Sequence, residues 1–261
     1  MFRFRPGSRR GTAVALLAAT SLMLTLGGCG VDRVTPRDAR GKARTDDKGG
    51  TGTRRVDCAK VKCIALTFDA GPGKDTPRLL DILKEKRVPA TFFLLGRNHV
   101  DRYPRVVKRI ADEGHEVANH TWSHRILTDL DEAGIREELS LTQTAVERIT
   151  GHRPTLMRPP QGRTDDTVSE ISKELGLAQI LWSVTAKDFS TTDSALIRQR
   201  VLEQAQADGI ILLHDIYDGT VPAVPSIIDE LTRRGFTFVT VPELLAPGRA
   251  EPGAVYGPEK D

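Results

Sequence analysis

The sequence predicts a parallel α/β barrel over the part of the chain that follows residue 56. Short runs of β-branched and aromatic residues alternate there with amphipathic stretches, which is the pattern of repeated strand–helix units. Seven such runs with helices between them favour a barrel, because each helix can cover the outside of a closed sheet. A doubly wound open sheet is the alternative.

The predicted elements follow one another in regular order. The strands are Cys63–Phe68, Ala90–Leu95, Glu116–Asn119, Leu156–Arg158, Ala178–Ser183, Gly209–Leu213 and Thr237–Thr240. The helices between them are Thr76–Lys86, Pro104–Asp112, Asp131–Thr150, Asp166–Leu175, Ser194–Gln206 and Val224–Arg234. Two helices have N-terminal signals, since Thr76 precedes a proline and Asp131 precedes a glutamate-rich turn.

The first 28 residues have the features of an export signal. A basic segment ends at Arg9-Arg10, and an apolar run from Thr12 to Leu26 follows it. The run is too short for a comfortable transmembrane helix, so residues 1–28 are predicted to be a lipoprotein signal peptide. The arginine pair leaves twin-arginine export open.

The end of this segment, Leu26-Gly27-Gly28-Cys29, resembles the bacterial lipobox, in which the cysteine becomes the lipidated first residue. The alternatives are plain secretion with cleavage nearby and an uncleaved anchor. A lipid on Cys29 would hold the protein at the outer face of the cytoplasmic membrane. Residues 29–55 lack apolar periodicity and are predicted to form a disordered polar tether. A folded domain is predicted over 56–246 and a flexible tail over 247–261.

If Cys29 carries lipid, Cys58 and Cys63 are the two cysteines that remain. An even number of cysteines in an oxidising compartment predicts a disulfide between them. A cysteine-based metal site is the alternative, but the chain has no further cysteine, and no histidine lies near this pair in the sequence.

The charge of the chain does not indicate a nucleic-acid partner. The formal net charge is +3, but four of the 38 Lys and Arg residues lie in the predicted signal peptide, which has no acidic residue. Without them the basic residues no longer outnumber the 35 Asp and Glu residues. We therefore expect no nucleic-acid binding, and we expect a monomer.

Polar side chains follow most of the predicted strands. They are Asp69, Asn119-His120, Arg158, Asp188 and His214-Asp215. In a parallel barrel the carboxyl ends of the strands meet at one mouth, where active sites are found. These side chains are therefore predicted to lie close together although they are far apart in the sequence.

The segment His120-Thr121-Trp122-Ser123-His124 contains two histidines four residues apart. On a helical turn their imidazoles would project from one face and could share a divalent ion. This spacing alone is a weak signal, and its position at a predicted strand end strengthens it.

At this point the sequence resembles the polysaccharide deacetylases with the NodB homology domain, carbohydrate esterase family 4. The resemblance covers roughly residues 62 to 245 and consists of motifs in the family's order. They are Thr67-Phe68-Asp69-Ala70-Gly71-Pro72, His120-Thr121-Trp122-Ser123-His124, Arg158-Pro159-Pro160-Gln161-Gly162, Trp182-Ser183-Val184-Thr185-Ala186-Lys187-Asp188-Phe189 and Leu212-Leu213-His214-Asp215. The resemblance implies a distorted (β/α)7-type barrel.

The resemblance also implies a metal-dependent mechanism. Asp69 would be the base that activates a water, and Arg158 would pair with Asp69 and keep it ionised and oriented. His120 and His124 would hold a divalent metal, with Zn²⁺ as the first candidate and Co²⁺ or Mn²⁺ as alternatives. The backbone N–H of Gln161 would stabilise the oxyanion of the tetrahedral intermediate.

The resemblance makes His214 the acid that protonates the departing sugar amine. Two positions depart from the family pattern. Ala70 stands where many members have a third, carboxylate metal ligand, and Thr185 stands where the motif around Asp188 normally begins with Asp. Asp188 remains available to orient His214.

Three of the candidate site residues also have a structural interpretation. Asp69 can close a turn before Gly71-Pro72, Arg158 can form a surface ion pair, and His214 can be a buried strand-end histidine.

Together these observations predict a metal-dependent deacetylase that hydrolyses N-acetyl groups of a cell-wall or chitin-like polysaccharide, with peptidoglycan as the first candidate. The expected partners are this acetylated polymer and, through the lipid anchor, a membrane. The alternatives are an O-acetyl xylan esterase of the same family and a wall-binding lipoprotein with impaired catalysis.

Overall fold

A computed structural model describes residues 1–3, 31–42 and 56–259. The chain divides into two units, residues 1–30 and 31–261, and the second holds all the elements described here. The predicted signal peptide, apart from its first three residues, and the predicted lipidation site at Cys29 lie outside the described residues. No helix in the described part of the chain is long and apolar enough to cross a membrane.

In the second unit, all paired strands of the sheet run parallel. The strands are β1 (Arg33–Val34), β2 (Lys62–Asp69), β3 (Thr91–Leu94), β4 (Glu116–Asn119), β5 (Leu156–Met157), β6 (Ala178–Ile180), β7 (Val184–Thr185), β8 (Gly209–Leu213), β9 (Phe236–Val239) and β10 (Val255–Tyr256). Their spatial order is β1-β10-β6-β5-β4-β3-β2-β8-β7, and β9 pairs with the first half of β2. The sheet curls into a half-barrel, which confirms the predicted fold class.

Helices connect most of these strands, as expected for parallel pairing. They are α1 (Pro36–Gly41), α2 (Thr76–Lys86), α3 (Pro104–Asp112), α4 (Glu132–Thr150), α5 (Asp166–Glu174), α6 (Ser194–Gln204), α7 (Thr220–Arg233) and α8 (Val241–Leu245). Asp131 caps α4 by accepting a hydrogen bond from the Gly134 N–H, as predicted. Thr76, in contrast, is the first residue of α2 and not its cap.

Strand β2 is buried on both faces, and its side chains alternate between two cores. Ile64, Leu66 and Phe68 pack with the outer helices α2 and α7. Cys63 and Ala65 point into the barrel, where α8 is part of the same apolar cluster. Asp69 is an even number of positions from Cys63, so its side chain also faces the barrel interior, at the end of the strand.

Parallel pairing gives the barrel two distinct rims. We call the rim where the strands begin the lower rim, and the rim where they end the upper rim. Helices α1 and α8 contribute Ala39 and Leu244 to the inner cluster and cover it near the lower rim. The predicted disulfide is present there, joining Cys58 to Cys63 at the start of β2.

The structure differs from the predicted domain boundaries at both ends. Residues 33–34 and 36–41 lie within the predicted tether, yet they form β1 and α1, and Ala39 is buried. Residues 255–256 lie within the predicted flexible tail, yet they form β10, which pairs with both β1 and β6. The sequence pattern missed these strands because two residues are too short to show a period of two.

Candidate active site

The structure brings the predicted strand-end residues together at the upper rim. Arg158 Nη1 donates to Asp69 Oδ1 at 2.6 Å, although the two residues are 89 positions apart in the sequence. His120 Nε2 lies 3.9 Å from Asp69 Oδ2. These residues meet because β2, β3, β4 and β5 are neighbours in the sheet. Asp69 ends β2, His120 follows β4 and Arg158 follows β5.

Arg158 is fully buried beneath the site and is held at several points. Besides Asp69, its guanidinium donates to Thr67 Oγ1 at 2.8 Å and to the backbone oxygen of Ile180 at 2.9 Å. The ring centre of Phe93 lies 4.1 Å from its Cζ, a cation–π contact. Burial lowers the pKa of Arg158, and the charge of Asp69 opposes that shift. Arg158 is therefore not a surface ion-pair partner, and it fixes one carboxylate oxygen of Asp69.

His120 is buried and has a defined orientation. Its Nδ1 donates to the backbone oxygen of Arg158 at 2.8 Å, so Nε2 is the unprotonated nitrogen and faces Asp69. Burial lowers the pKa of His120 to about 4, with the charge of Asp69 opposing the shift. A neutral imidazole with its Nε2 lone pair directed into the site is suited to bind a metal.

His124 lies on a loop, which corrects the expected helical turn. Residues 120–126 form no helix, and Thr121 and His124 have positive φ angles of 72° and 62°. The two imidazole ring centres are nevertheless 5.0 Å apart. A loop, and not the expected helical turn, therefore brings the two histidines together.

Glu138 of α4 holds this loop and was not singled out from the sequence. Its carboxylate accepts hydrogen bonds from the backbone N–H groups of Trp122 at 3.0 Å and Ser123 at 2.8 Å, and from the Ser123 hydroxyl at 2.5 Å. Glu138 is 5% exposed. The sequence could have identified Glu138, because it falls on the same buried face of α4 as Ile135 and Leu139. A carboxylate on a buried face needs hydrogen-bond partners.

His214, at the end of β8, pairs with Asp188. His214 Nδ1 donates to Asp188 Oδ1 at 2.8 Å, and the His214 backbone N–H donates to Oδ2 at 2.7 Å. The Thr220 hydroxyl donates to the same Oδ2 at 2.8 Å. Burial lowers the pKa of His214, but the hydrogen bond and charge of Asp188 outweigh it and raise the pKa above its usual value. The neutral Thr185 does not leave His214 without a carboxylate.

Asp215 lies behind the site and is fully buried. Its Oδ2 accepts a hydrogen bond from the Thr76 hydroxyl, and Oδ1 has no partner among the described residues. Burial raises the pKa of Asp215 to about 6. Gly71 packs directly on this carboxylate, since a Cβ there would lie 2.3 Å from Oδ1. This contact excludes larger residues from the turn after Asp69.

The rim of the site exposes a backbone turn and two aromatic rings. Gln161 is exposed, with a left-handed φ of 58°, and the half-buried Trp182 ring lies beside the next residue, Gly162. The exposed rings of Phe189 and Tyr217 lie with their centres 6.2 Å and 5.3 Å from the His214 ring. The acid candidate is thus flanked by apolar surface.

The donor set offers a divalent metal two histidine nitrogens. The candidate ligands are His120 and His124, and Asp69 Oδ2 lies 3.9 Å from His120 Nε2. Within the described residues, no group of three or more His, Cys, Asp or Glu side chains is arranged to hold an ion. This agrees with the neutral methyl of Ala70 at the position expected for a third ligand.

Comparison with known proteins identifies the family. The family model of the polysaccharide deacetylases matches residues 57–180. The chain is 37% identical over 187 residues to a peptidoglycan-N-acetylglucosamine deacetylase of Bacillus cereus, covering 70% of this chain and 68% of that protein. The chain therefore belongs to the polysaccharide deacetylase family, also called carbohydrate esterase family 4.

Other relatives support the same assignment. The peptidoglycan-N-acetylmuramic acid deacetylase PdaC of Bacillus subtilis is 41% identical over 184 residues, which cover 70% of this chain and 38% of PdaC. The match thus spans about two fifths of the length of that relative. A solved structure described as a T48 deacetylase with substrate superposes with a TM-score of 0.74 at 41% identity, over 77% of this chain and 99% of that chain.

Proposed function

We propose that the protein is a metal-dependent hydrolase that removes N-acetyl groups from a cell-wall polysaccharide, with peptidoglycan as the substrate. The observation that carries this proposal is the arrangement of an Arg-held carboxylate, two adjacent histidines and a His–Asp pair at one rim of the barrel. The printed activities of the relatives agree, since they are deacetylases of peptidoglycan.

Asp69 is the base in this proposal. Arg158 occupies Oδ1, which leaves Oδ2 on the side of His120 as the oxygen that accepts the proton of the attacking water. The hydrogen bond from Arg158 fixes the orientation of the carboxylate. Because Arg158 is itself fixed by backbone oxygens and by the Phe93 ring, Asp69 has little freedom to turn away.

His120 and His124 would hold the metal. Deacetylases of this family generally depend on a divalent metal, and we propose Zn²⁺ here, with Co²⁺ and Mn²⁺ as alternatives. Such an ion supplies Lewis acidity, which polarises a carbonyl oxygen and lowers the pKa of a water. The backbone N–H of Gln161, on the exposed turn beside the site, would add a hydrogen bond to the developing oxyanion.

His214 is the acid in this proposal. Its Nδ1–H is engaged by Asp188, so Nε2 is the nitrogen that gives its proton to the departing sugar amine. The raised pKa keeps His214 protonated over a wider range of pH than an isolated histidine. The exposed rings of Phe189 and Tyr217 offer apolar surface for the sugar beside this acid.

We further propose that the protein acts outside the cytoplasm, as a monomer anchored by lipid on Cys29 to the outer face of the membrane. The relatives are deacetylases of a cell-wall polymer, which supports an extracytoplasmic location. The disulfide between Cys58 and Cys63 supports an oxidising compartment.

A wall-binding protein with impaired catalysis is the second candidate. Ala70 favours it, because the site lacks the carboxylate expected as the third ligand. The pairing of Asp69 with Arg158 and of His214 with Asp188 argues against it, since a binding module has no use for one buried and one partly buried charge pair. An O-acetyl esterase would use the same residues on an ester.

Acetate release decides between these candidates. The protein should release acetate from N-acetylglucosamine oligomers or peptidoglycan, lose this activity with a chelator and regain it with a divalent metal. Release of acetate from acetylated xylan would instead identify an esterase. No release from any of these substrates with any divalent metal would favour the binding protein.

A further inference from the structure

The turn that follows the candidate base packs on the segment that follows the candidate acid. We call residues 70–73 the base turn, because Asp69 immediately precedes them. Strands β2 and β8 are paired up to the residues directly before Asp69 and His214, so these two residues leave the sheet at neighbouring positions. The base turn and residues 215–216 therefore meet immediately beyond the two residues proposed to carry out the chemistry.

Two glycines allow this close contact. A Cβ at Gly71 would lie 2.3 Å from Asp215 Oδ1, and a Cβ at Gly73 would lie 2.9 Å from Ile216 Cγ2. Both distances are shorter than real Cβ contacts. Neither glycine has a left-handed φ, so the close approach, and not the backbone conformation, requires them. Residues 215–216 thus form the surface on which the base turn rests.

A chain of hydrogen bonds joins the same two segments. The Gly73 N–H donates to Thr76 Oγ1 at 2.7 Å, and the Thr76 hydroxyl donates to Asp215 Oδ2. All three residues are buried. The Asp215 carboxyl group is thus the acceptor that fixes the direction of the Thr76 hydroxyl and, through it, the Gly73 amide. We call these two hydrogen bonds the Thr76 bridge.

The base turn is held on its other side by β3 and the residue after it. The Ala70 N–H donates to the backbone oxygen of Phe93 at 3.1 Å, and the Leu95 N–H donates to that of Gly71 at 3.0 Å. These bonds join backbone atoms and tolerate most side chains. The Thr76 bridge, in contrast, depends on two particular side chains, so substitutions can break it selectively.

Stability does not account for a carboxyl group at position 215. The side chain is fully buried, and Oδ1 has no hydrogen-bond partner among the described residues. Burial raises the pKa of Asp215 from its ordinary value of 3.8 to about 6. Because the pKa is raised on folding, the contribution of Asp215 to stability becomes unfavourable as the pH rises through this range and is unfavourable at pH 7. A neutral residue of the same size would give a more stable fold.

We propose that Asp215 is a positioning residue for the candidate base. Its carboxyl group, acting through the Thr76 hydroxyl, holds the base turn and thereby the backbone from which Asp69 projects. Arg158 orients the Asp69 carboxylate from within the barrel, whereas Asp215 fixes the position of its main chain. The inference rests on the proposed function, in which Asp69 is the base, and Asp215 itself does not contact the substrate.

The kinetics of acetate release from N-acetylglucosamine oligomers test this role. Asp215→Ala and Thr76→Val each break the Thr76 bridge, so kcat should fall by about 10-fold or more while KM and metal affinity stay within about twofold of wild type. The double variant should be no slower than the slower single variant, because both changes break the same chain. Thr167→Val, at an exposed threonine in the first turn of α5, is the matched control and should have the wild-type kcat.

Conservative variants separate positioning from packing. Asp215→Asn keeps an acceptor oxygen and Thr76→Ser keeps the hydroxyl, so each should retain at least about half of the wild-type kcat. Asp215→Asn should also be at least as stable as wild type in denaturant unfolding at pH 7, because it removes a charge that burial disfavours. Should Asp215→Ala fail to fold, Thr76→Val and Thr76→Ser give the same comparison without a change of packing volume.

Hydrogen exchange of the Gly73 amide tests the bridge without catalysis. Exchange in Thr76→Val should be about 10-fold faster or more, because the amide loses its acceptor, and Thr76→Ser should restore the protection. Unchanged exchange, a wild-type kcat in Thr76→Val, additive effects in the double variant or a change in KM alone would overturn the inference. Absence of acetate release by the wild-type protein would instead overturn the proposed function, and Gly73 exchange would still report the bridge.

Discussion

At the scale of single residues, the candidate base and acid are each held by one charged partner. Arg158 fixes Asp69 through a bond of 2.6 Å, and Asp188 fixes His214 through a bond of 2.8 Å. The two pairs produce different chemistry. The carboxylate of Asp69 is oriented as a proton acceptor, whereas Asp188 raises the pKa of His214, which favours a proton donor, so the candidate base and acid are separate residues.

Replacing the base should abolish most of the activity while the fold remains. Asp69→Asn removes the proton acceptor but keeps a polar group beside Arg158, so the rate of acetate release should fall by about 10²-fold or more. The exposed carboxylate variant Asp218→Asn is the control and should have the wild-type rate. A wild-type rate in Asp69→Asn would show that another group activates the water.

The pH dependence should report the Asp188–His214 pair. Because the pKa of His214 is raised, the alkaline limb of kcat/KM should lie above the usual histidine range, where the protonated acid is lost. Asp188→Asn removes the charge that raises this pKa, so the limb should move to lower pH. An unchanged limb in the variant would mean that His214 is not the group that titrates there.

We expect Ala70 to limit the affinity of the proposed site for a metal. Ala70→Asp adds an anionic group at the position of the missing ligand, and metal affinity should rise by roughly one to two orders of magnitude. Ala70 has a positive φ of 62°, a conformation that Asp adopts more readily than Ala. Ala70→Gly relieves the same backbone strain without adding a ligand and is therefore the matched control. Equal affinities of wild type and Ala70→Asp in a metal titration would show that another group already fills this position.

At the scale of elements, the loop that carries the two candidate metal ligands, His120 and His124, depends on helix α4. Glu138 of α4 accepts two backbone N–H groups from Trp122 and Ser123, which lie between the two histidines. The loop residues Thr121 and His124 have positive φ angles, which cost energy unless the surroundings hold them. Helix α4 therefore stabilises the loop conformation that brings the two imidazoles together.

Weakening this support should weaken metal binding. Glu138→Gln removes the charge and one of the acceptors for the loop, and metal affinity should fall by about 10-fold to 100-fold in a calorimetric titration. The neighbouring Glu137 is exposed, so Glu137→Gln is a control with the same change of charge and should bind metal normally. If both variants bound metal equally well, Glu138 would have only a structural role.

At the scale of the whole molecule, the lower rim is closed by segments from both ends of the unit. Helix α1, helix α8 and the Cys58 turn enclose one apolar cluster, and β1 and β10 extend the sheet beside β6. The candidate active site lies at the upper rim. The closure and the chemistry are thus at opposite ends of the barrel, so the lower end can be perturbed without direct contact with the site.

The disulfide at the lower rim should stabilise the fold. Replacing both Cys58 and Cys63 by Ser should lower the free energy of unfolding by about 2 kcal/mol, the expected value for so short a loop. Denaturant unfolding measures this change, and the rate of acetate release in native buffer should remain close to wild type. A loss of activity without a loss of stability would contradict the assignment of this pair to the scaffold.

The order of the motifs along the sequence was sufficient for the fold class and for the list of residues at the mouth. The reason is physical, since parallel strands end at one rim and polar residues placed directly after them must meet there. The predicted strands Glu116–Asn119 and Gly209–Leu213 match the observed bounds, because longer buried runs show a clear pattern.

Only the tertiary structure decided how these residues are held. The resemblance already suggested that Asp188 orients His214, but the contacts of Glu138 and the loop conformation that they hold at His124 depend on a helix that is distant in the sequence. The same is true of the two-residue strands β1 and β10, which acquire their conformation by pairing with the sheet. Local sequence determines periodicity and turns, whereas contacts between distant segments appear only when the chain is folded.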